Sequence, residues 1–332
     1  MGVRPRVFVT GEVFKPALDV LKAKADVKVW PGEKPSPKDE IIREVEHIDG
    51  LMCLLTDSID EEVIEAGKNL KAISQIAVGY DNIDLKAATR RGICVTNTPG
   101  VLTETTADLT WALLMAVARR IVEADEYVRR GDWHIPWGLM MMLGSDVYGK
   151  TIGIVGLGRI GLAIARRAQG FDMRILYHSR TRKPNLEREF GIKYVDLETL
   201  LKESDFISLH VPLTPETYHM IAEKELRLMK NTAYLINTSR GPVVDEAALY
   251  KALKERWIKG AALDVHQKEP TDTDNPILKL DNVVVTPHIG SASLETRTRM
   301  AIMAAENLVS VLEGKIPPNL VNKEGLNIRP LG

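Results

Sequence analysis

The chain has 332 residues, 45% hydrophobic and 27% charged, with a formal net charge of −1. That length suffices for two domains, or one large one, with a sizeable core. The balanced charge excludes a global basic field for nucleic acid or anionic lipid, and no apolar run nears the roughly 20 residues that span a bilayer.

The start, residues 1–10, lacks the long apolar core of a secretory signal. Strand-like runs at 7–10, 27–30, 51–55, 73–78 and 93–96 then alternate with helix-like runs at 16–24, 38–45, 60–66 and 85–90. Such alternation predicts right-handed βαβ units on a parallel sheet. Two cysteines, Cys53 and Cys94, sit in those strand-like runs and read as buried, reduced thiols. A soluble cytoplasmic protein is expected.

The pattern breaks at Thr98-Pro99-Gly100, and a long helix is expected over 103–130, with Leu109, Ala112, Leu113, Ala116 and Val117 on its apolar face. Residues 133–143 form an apolar loop holding Trp133, Trp137, Met140, Met141 and Met142. Two readings stay open for it: a core segment, or an arm buried against a second subunit.

At 151–161 the β-branched run Ile152, Ile154 and Val155 leads into Gly156, Gly158 and Gly161, spaced G-x-G-x-x-G, and a helix-like segment follows. The first glycine permits the strand-to-helix turn. The second lets amides approach a pyrophosphate, and the third lets helix and strand pack closely. The phosphates would sit at the helix N-terminus, where unpaired N–H groups favour an anion. Alternation resumes with strands at 174–178, 206–211, 233–237, 260–265 and 283–286, helices including 197–204 and 246–255, and a last helix over 293–313. The expected fold is α/β, with two doubly wound parallel-sheet domains. A Rossmann cofactor domain takes residues 100–290, and a discontinuous, flavodoxin-like substrate domain takes 1–99 and 291–332.

An acidic residue normally ends the second strand of a Rossmann unit and binds the ribose 2′-OH. Here His178-Ser179-Arg180-Thr181-Arg182 stands there, with no carboxylate. A serine and two guanidinium groups suit a 2′-phosphate, which favours NADP(H). If these arginines are merely solvated, NAD(H) is accepted as well. Three more stretches follow strands, where such sheets bind ligands. They are Thr238-Ser239-Arg240-Gly241, His266 to Pro270, and Thr286-Pro287-His288-Ile289-Gly290. Arg240 is suited to clamp a carboxylate or to cap a helix. Glu269 is suited to hold one nitrogen of a proton-shuttling His288, or to be a solvated turn residue beside a core histidine. No C-x-x-C or H-E-x-x-H cluster suggests a metal.

Five ordered segments narrow these alternatives: Val78-Gly79-Tyr80-Asp81-Asn82-Ile83-Asp84, Gly156-Leu157-Gly158-Arg159-Ile160-Gly161, Ser239-Arg240-Gly241, Glu269-Pro270 and Thr286 to Gly290. Together they resemble the motifs of the D-isomer-specific 2-hydroxyacid dehydrogenase family. Asp146 to Thr151 and Ser179 to Lys183 look most like its glyoxylate/hydroxypyruvate reductase branch. The resemblance implies NAD(P)H-dependent reduction of a small 2-oxoacid, with Arg240 on the carboxylate and carbonyl, His288 as acid/base, and Glu269 orienting His288 and favouring its imidazolium. It assigns the substrate's carboxylate also to the amides of Val78 and Gly79, and the nicotinamide carboxamide to Asp264. Thr106, the glycine loop with Leu157, Arg159 and Ile160, Ser179, Arg180, Thr181, Val211, Pro212, Thr217, Thr238, Ser239, Arg240, His288 and Gly290 match segments that line the cofactor, as does Asp264. It further implies a homodimer through the cofactor domains, with Met141 where some relatives place a partner's Trp near the substrate. Other 2-hydroxyacid, phosphoglycerate or phosphite dehydrogenases remain alternatives. A non-catalytic NAD(H)-sensing protein is an alternative of another class.

Overall fold

The structure, a computed structural model, describes residues 4–327; the ends assigned above to the substrate domain, 1–3 and 328–332, lie outside the described residues. The chain divides into two compact units, one holding residues up to Leu102 together with those from Ser291 onward, the other Thr103–Gly290.

The first unit contains β1 (Arg6–Val9), α1 (Lys15–Lys22), β2 (Asp26–Val29), α2 (Lys38–Val45), β3 (Gly50–Cys53), α3 (Glu61–Ala66), β4 (Ala72–Gln75), α4 (Leu85–Arg90) and β5 (Cys94–Thr96). Its sheet runs β2-β1-β3-β4-β5, parallel throughout, which is the flavodoxin-like order. β3 is buried on both faces and reads as a continuous apolar run, whereas β4, buried as fully, ends on the polar Ser74 and Gln75. Cys53 and Cys94 are buried, reduced thiols.

The second unit contains α5 (Thr103–Arg119), α6 (Ile121–Arg129), β6 (Thr151–Val155), α7 (Arg159–Gln169), β7 (Arg174–His178), α8 (Pro184–Phe190), β8 (Lys193–Tyr194), α9 (Leu197–Glu203), β9 (Phe206–Leu209), α10 (Glu223–Leu228), β10 (Tyr234–Asn237), α11 (Glu246–Lys254), β11 (Gly260–Leu263) and β12 (Val283–Val285). Its sheet order is β12-β11-β10-β9-β6-β7-β8. Strand order reverses direction on either side of β6, and ligands of such sheets bind in that crevice, beyond the carboxyl ends of the strands.

The last helix, α12 (Leu294–Leu312), returns to the first unit, where Ala301, Ala304, Ala305 and Leu308 pack with Val7, Val9, Met52 and Ala72. Small residues let it lie close to the sheet, and Ser74 Oγ donates to its Ala304 carbonyl at 2.7 Å. Beyond it, Asn322 completes the edge strand β5. Its Oδ1 accepts from Val95 N at 2.8 Å, and its Nδ2 donates to the Ile93 carbonyl at 2.8 Å. Pairing an edge in this way satisfies backbone groups that would otherwise be open.

Three expectations need correction. The helix expected over 103–130 is two helices, because Arg120 adopts φ +56° between them. The buried stripe of α5 is Thr106, Ala107, Thr110, Leu113, Leu114, Val117 and Ala118, while Ala112 is exposed. The helix is apolar on two faces, and spacing alone did not identify the inner one. Finally, residues 133–143 are no core segment: Trp137 is 75% and Met140 76% exposed. Among the described residues no helix is long and apolar enough to cross a membrane.

Asn322→Ala removes both edge contacts and leaves buried backbone groups unpaired. It should lower stability by about 1–3 kcal/mol, read as a lower urea midpoint. An unchanged midpoint would mean that the edge is satisfied without it.

Candidate active site

In the second unit every strand pairing is parallel, so the carboxyl ends of β6, β7, β9, β10, β11 and β12 lie along one edge of the sheet. The residues singled out above from this unit are concentrated in the turns that leave that edge.

The turn after β6 has the shape that an anion cradle requires. Gly156 adopts φ +97°, and a Cβ there would lie 2.7 Å from the His210 carbonyl. A Cβ on Gly161 would lie 2.2 Å from the Gly156 carbonyl, so helix and turn touch through that glycine. Gly158 differs: a Cβ on it would meet nothing within 4 Å, which leaves open space above the turn. The first intrahelical bond of α7 runs from Leu162 N to the Gly158 carbonyl at 3.0 Å. The amides of Arg159, Ile160 and Gly161 precede it and are the unpaired donors of a helix N-terminus. These residues fit a dinucleotide's pyrophosphate.

The neighbouring turns complete the edge. Val211 and Pro212 follow β9, and Thr217 Oγ donates to the Pro212 carbonyl at 2.6 Å. His210, whose Nε2 lies 2.8 Å from Ser208 Oγ, is pushed down to about 3 by burial and stays neutral. After β7, Ser179 Oγ donates to the Thr181 carbonyl at 2.7 Å. Arg180 is exposed, whereas Arg182 is paired with Glu187. Of the two guanidinium groups expected to suit a 2′-phosphate, that of Arg182 is thus already engaged by a carboxylate.

After β10, Asn237 shapes the turn that carries Arg240. Its Nδ2 donates to the Arg240 carbonyl at 2.9 Å, and its Oδ1 accepts from Ser239 N at 3.0 Å. Thr238 meets Thr110 of α5, hydroxyl to hydroxyl, at 2.8 Å. Gly241 comes so close to the next turn that a Cβ would fall 1.8 Å from the His266 carbonyl. Any side chain there would push the Arg240 turn away from its neighbour.

Asp264 directly follows β11 and is 1% exposed. Its carboxylate accepts from Thr286 Oγ at 2.6 Å, Ile289 N at 2.8 Å and Gly290 N at 2.8 Å. Its carbonyl accepts from His288 N at 2.9 Å. The loop after β12 is thus wound around one side chain, and within it His288 is held at φ +53°. A non-glycine residue in that region is uncommon, and such strain concentrates where a side chain must be aimed. A carboxylate has about four acceptor sites, so three bonds leave room for the carboxamide contact expected of Asp264. Thr106 of α5 lies beside Gly290, its Cγ2 being 3.5 Å from where a glycine Cβ would stand.

His288 Nδ1 meets Glu269 Oε2 at 2.6 Å, and Glu269 Oε1 accepts from His266 N at 3.0 Å. With Nδ1 committed, Nε2 is the nitrogen available for proton transfer. The side chains are 24% and 31% exposed, which is partial access. Val78 and Gly79 belong to the first unit, on the loop after β4. Their carbonyls accept from Asn97 Nδ2 at 2.8 Å and Gln75 Nε2 at 3.3 Å, which fixes that loop.

Several known proteins are similar to this chain. Residues 111–290 match the model of the D-isomer specific 2-hydroxyacid dehydrogenase NAD binding domain. A glyoxylate reductase of Korarchaeum cryptofilum is 61% identical, over 99% of each chain. The solved TT0316 protein of Thermus thermophilus superposes with a TM-score of 0.90 at 50% identity, covering 95% of this chain and 99% of that one. The NADPH-dependent glyoxylate/hydroxypyruvate reductase of Sinorhizobium meliloti, solved with NADP and malonate, gives 0.85 at 32% identity, covering 97% and 98%.

Burial raises the Glu269 pKa, but the bonds from His288 and from the His266 amide outweigh it, and the carboxyl titrates below its ordinary range. A carboxyl depressed in the folded state contributes stability that is present above its unfolded pKa and is lost as pH falls through the folded value. Between about pH 6 and 3, the native chain should lose more stability than Glu269→Gln, compared by urea midpoints. Equal losses would disconnect this carboxylate from folding.

Proposed function

The chain belongs to the D-isomer-specific 2-hydroxyacid dehydrogenase family, and from that premise we propose that it reduces glyoxylate or hydroxypyruvate to the corresponding 2-hydroxyacid. The observation that carries this reading is the 2.6 Å contact between His288 and Glu269, on a loop that Asp264 fixes. A nicotinamide cofactor, when bound, supplies the hydride that the substrate's carbonyl carbon receives. His288 gives the proton to the carbonyl oxygen from Nε2, while Glu269 holds the ring by Nδ1. Arg240 binds the substrate's carboxylate through two parallel hydrogen bonds and stabilises charge building on the oxygen. Positioning and electrostatics then provide most of the acceleration.

NADP(H) is the preferred cofactor in this proposal, with NAD(H) accepted, since Ser179, Arg180 and Thr181 stand where NAD enzymes keep a carboxylate. The relative from Sinorhizobium meliloti is described as NADPH-dependent. The protein works as a homodimer through its second unit. Ile121, Val122 and Val128 of α6 are exposed, as are Trp133, Ile135, Trp137, Leu139, Met140 and Leu143 beyond it. So many large apolar side chains in one segment support this reading of an interface with a second copy.

The defining assay follows loss of absorbance of NADPH and of NADH with each of the two acids. His288→Ala should lower the turnover rate by roughly 100-fold or more in protein that remains well folded. Tight cofactor binding without turnover on any 2-oxoacid would point instead to a sensor. Trp137→Glu with Met140→Asp should convert a dimer into a monomer by light scattering. A native chain that is already monomeric at micromolar concentration would refute the dimer.

A further inference from the structure

The turn after β7 holds three cations, Arg180, Arg182 and Lys183, and the structure treats each differently. Arg182 grips Glu187 with a two-pronged contact, Nε to Oε1 at 2.9 Å and Nη2 to Oε2 at 2.8 Å. Glu187 lies on α8 and is itself held by the hydroxyl of Tyr177, which donates to Oε1 at 2.8 Å. Tyr177 is fully buried within β7 and also accepts from Lys183 N at 2.8 Å, so the carboxylate is anchored to the sheet. The Arg182 guanidinium lies 5.8 Å from the centre of the Tyr194 ring on β8. Lys183 turns the other way, and its Nζ donates to the Leu157 carbonyl in the glycine turn at 2.6 Å. Arg180 is exposed and makes no ion pair among the described residues. Glu216, in the turn after β9 that also holds Thr217, is held below the ordinary carboxylate range chiefly by the Thr214 hydroxyl, with a smaller contribution from the Arg180 charge.

We propose that Glu187 is a specificity-determining positioning residue, which holds the Arg182 guanidinium away from the cofactor and leaves the 2′-phosphate to Arg180, Ser179 and Thr181. This inference rests on the cofactor reading above and deepens it. The prongs that fit a carboxylate are those that would fit phosphate oxygens, so Arg182 presents that edge to one partner or the other. The arrangement tempers selectivity: one guanidinium attracts a 2′-phosphate, while the second is neutralised and leaves a ribose 2′-OH tolerable. The carboxylate stays ionised throughout the working range, because the Arg182 fork, against some burial and aided by Tyr177, lowers Glu187 to about 2.

The test is calorimetric titration of the full chain with NADPH and NADH, and with the fragments 2′,5′-ADP and 5′-AMP. Glu187→Gln should raise the preference for the 2′-phosphorylated member of each pair by about tenfold, the scale of one charge-assisted hydrogen bond. Adding Arg182→Ala to that variant should return the preference to its native value. Arg182→Ala alone should leave the preference where it is. A merely structural role for Glu187 would weaken both members of a pair alike. An unchanged preference in folded Glu187→Gln, or a lost preference in Arg182→Ala alone, would overturn the proposal. The second variant keeps the test decisive if Glu187→Gln melts early. A native chain that binds neither dinucleotide would instead defeat the cofactor reading itself.

Discussion

One buried carboxylate organises the reactive end of the second unit. Asp264 carries charge at a position that is 1% exposed, which is costly unless that charge is met by donors. The donors come from Thr286, Ile289 and Gly290, that is, from the loop bearing the acid/base candidate. Solvating the charge and shaping the loop are thus one interaction. It also supplies what the left-handed backbone at His288 needs, since that geometry costs about 1–3 kcal/mol when nothing enforces it. The His288 ring, aimed by this backbone, then finds Glu269 from the preceding turn. The chemistry follows from a sheet whose strands all end on one side, with a charged residue placed at the right strand end.

Most of the architecture was legible because parallel strands covered on both faces are written as apolar runs of four or five residues. Gly50 to Cys53 and Ile152 to Val155 are of this kind, and polar turns or a glycine follow them. What stayed hidden depends on tertiary choices. The stripe of α5 was misplaced by part of a turn because Leu113 and Val117 belong to either face. The break at Arg120 has no proline or glycine to announce it. β8, two residues long, carries too little pattern to stand out.

The site was legible to a different depth. Arg240, Glu269 and His288 were picked out as chemically capable types at strand ends, but their roles came from resemblance. The pairing of Glu269 with His288 joins residues 19 apart, and that of Asp264 with Gly290 joins residues 26 apart. No local spacing rule reaches across a strand and a turn. Asn237 was missed altogether, since an asparagine ending a strand looks like any turn former. The same limit applies to Arg182, whose availability is decided by a carboxylate that the sequence shows but does not place beside it.

The segment between Arg120 and Ser145 poses the remaining physical question. It leaves the unit where α5 ends and rejoins it where Ser145 N donates to the Ala118 carbonyl at 2.8 Å. Within it α6 spans nine residues and buries none of them against its own chain. A helix of that length is marginal in water even with good formers, because nucleation costs more than a few turns return. Of its ion pairs, Arg129 with Asp125 is exposed and worth little, and Arg120 with Glu123 is half-buried and joins residues only three apart. Helical order must then come from covering Ile121, Val122 and Val128, and nothing in the unit's own packing does so. A second copy presenting the same apolar surface would cover both at once. A C2 contact of this kind needs no other partner and no further residue type. The arm is an apolar surface that the unit's own packing leaves uncovered, and covering it is what the homodimer proposed above would do.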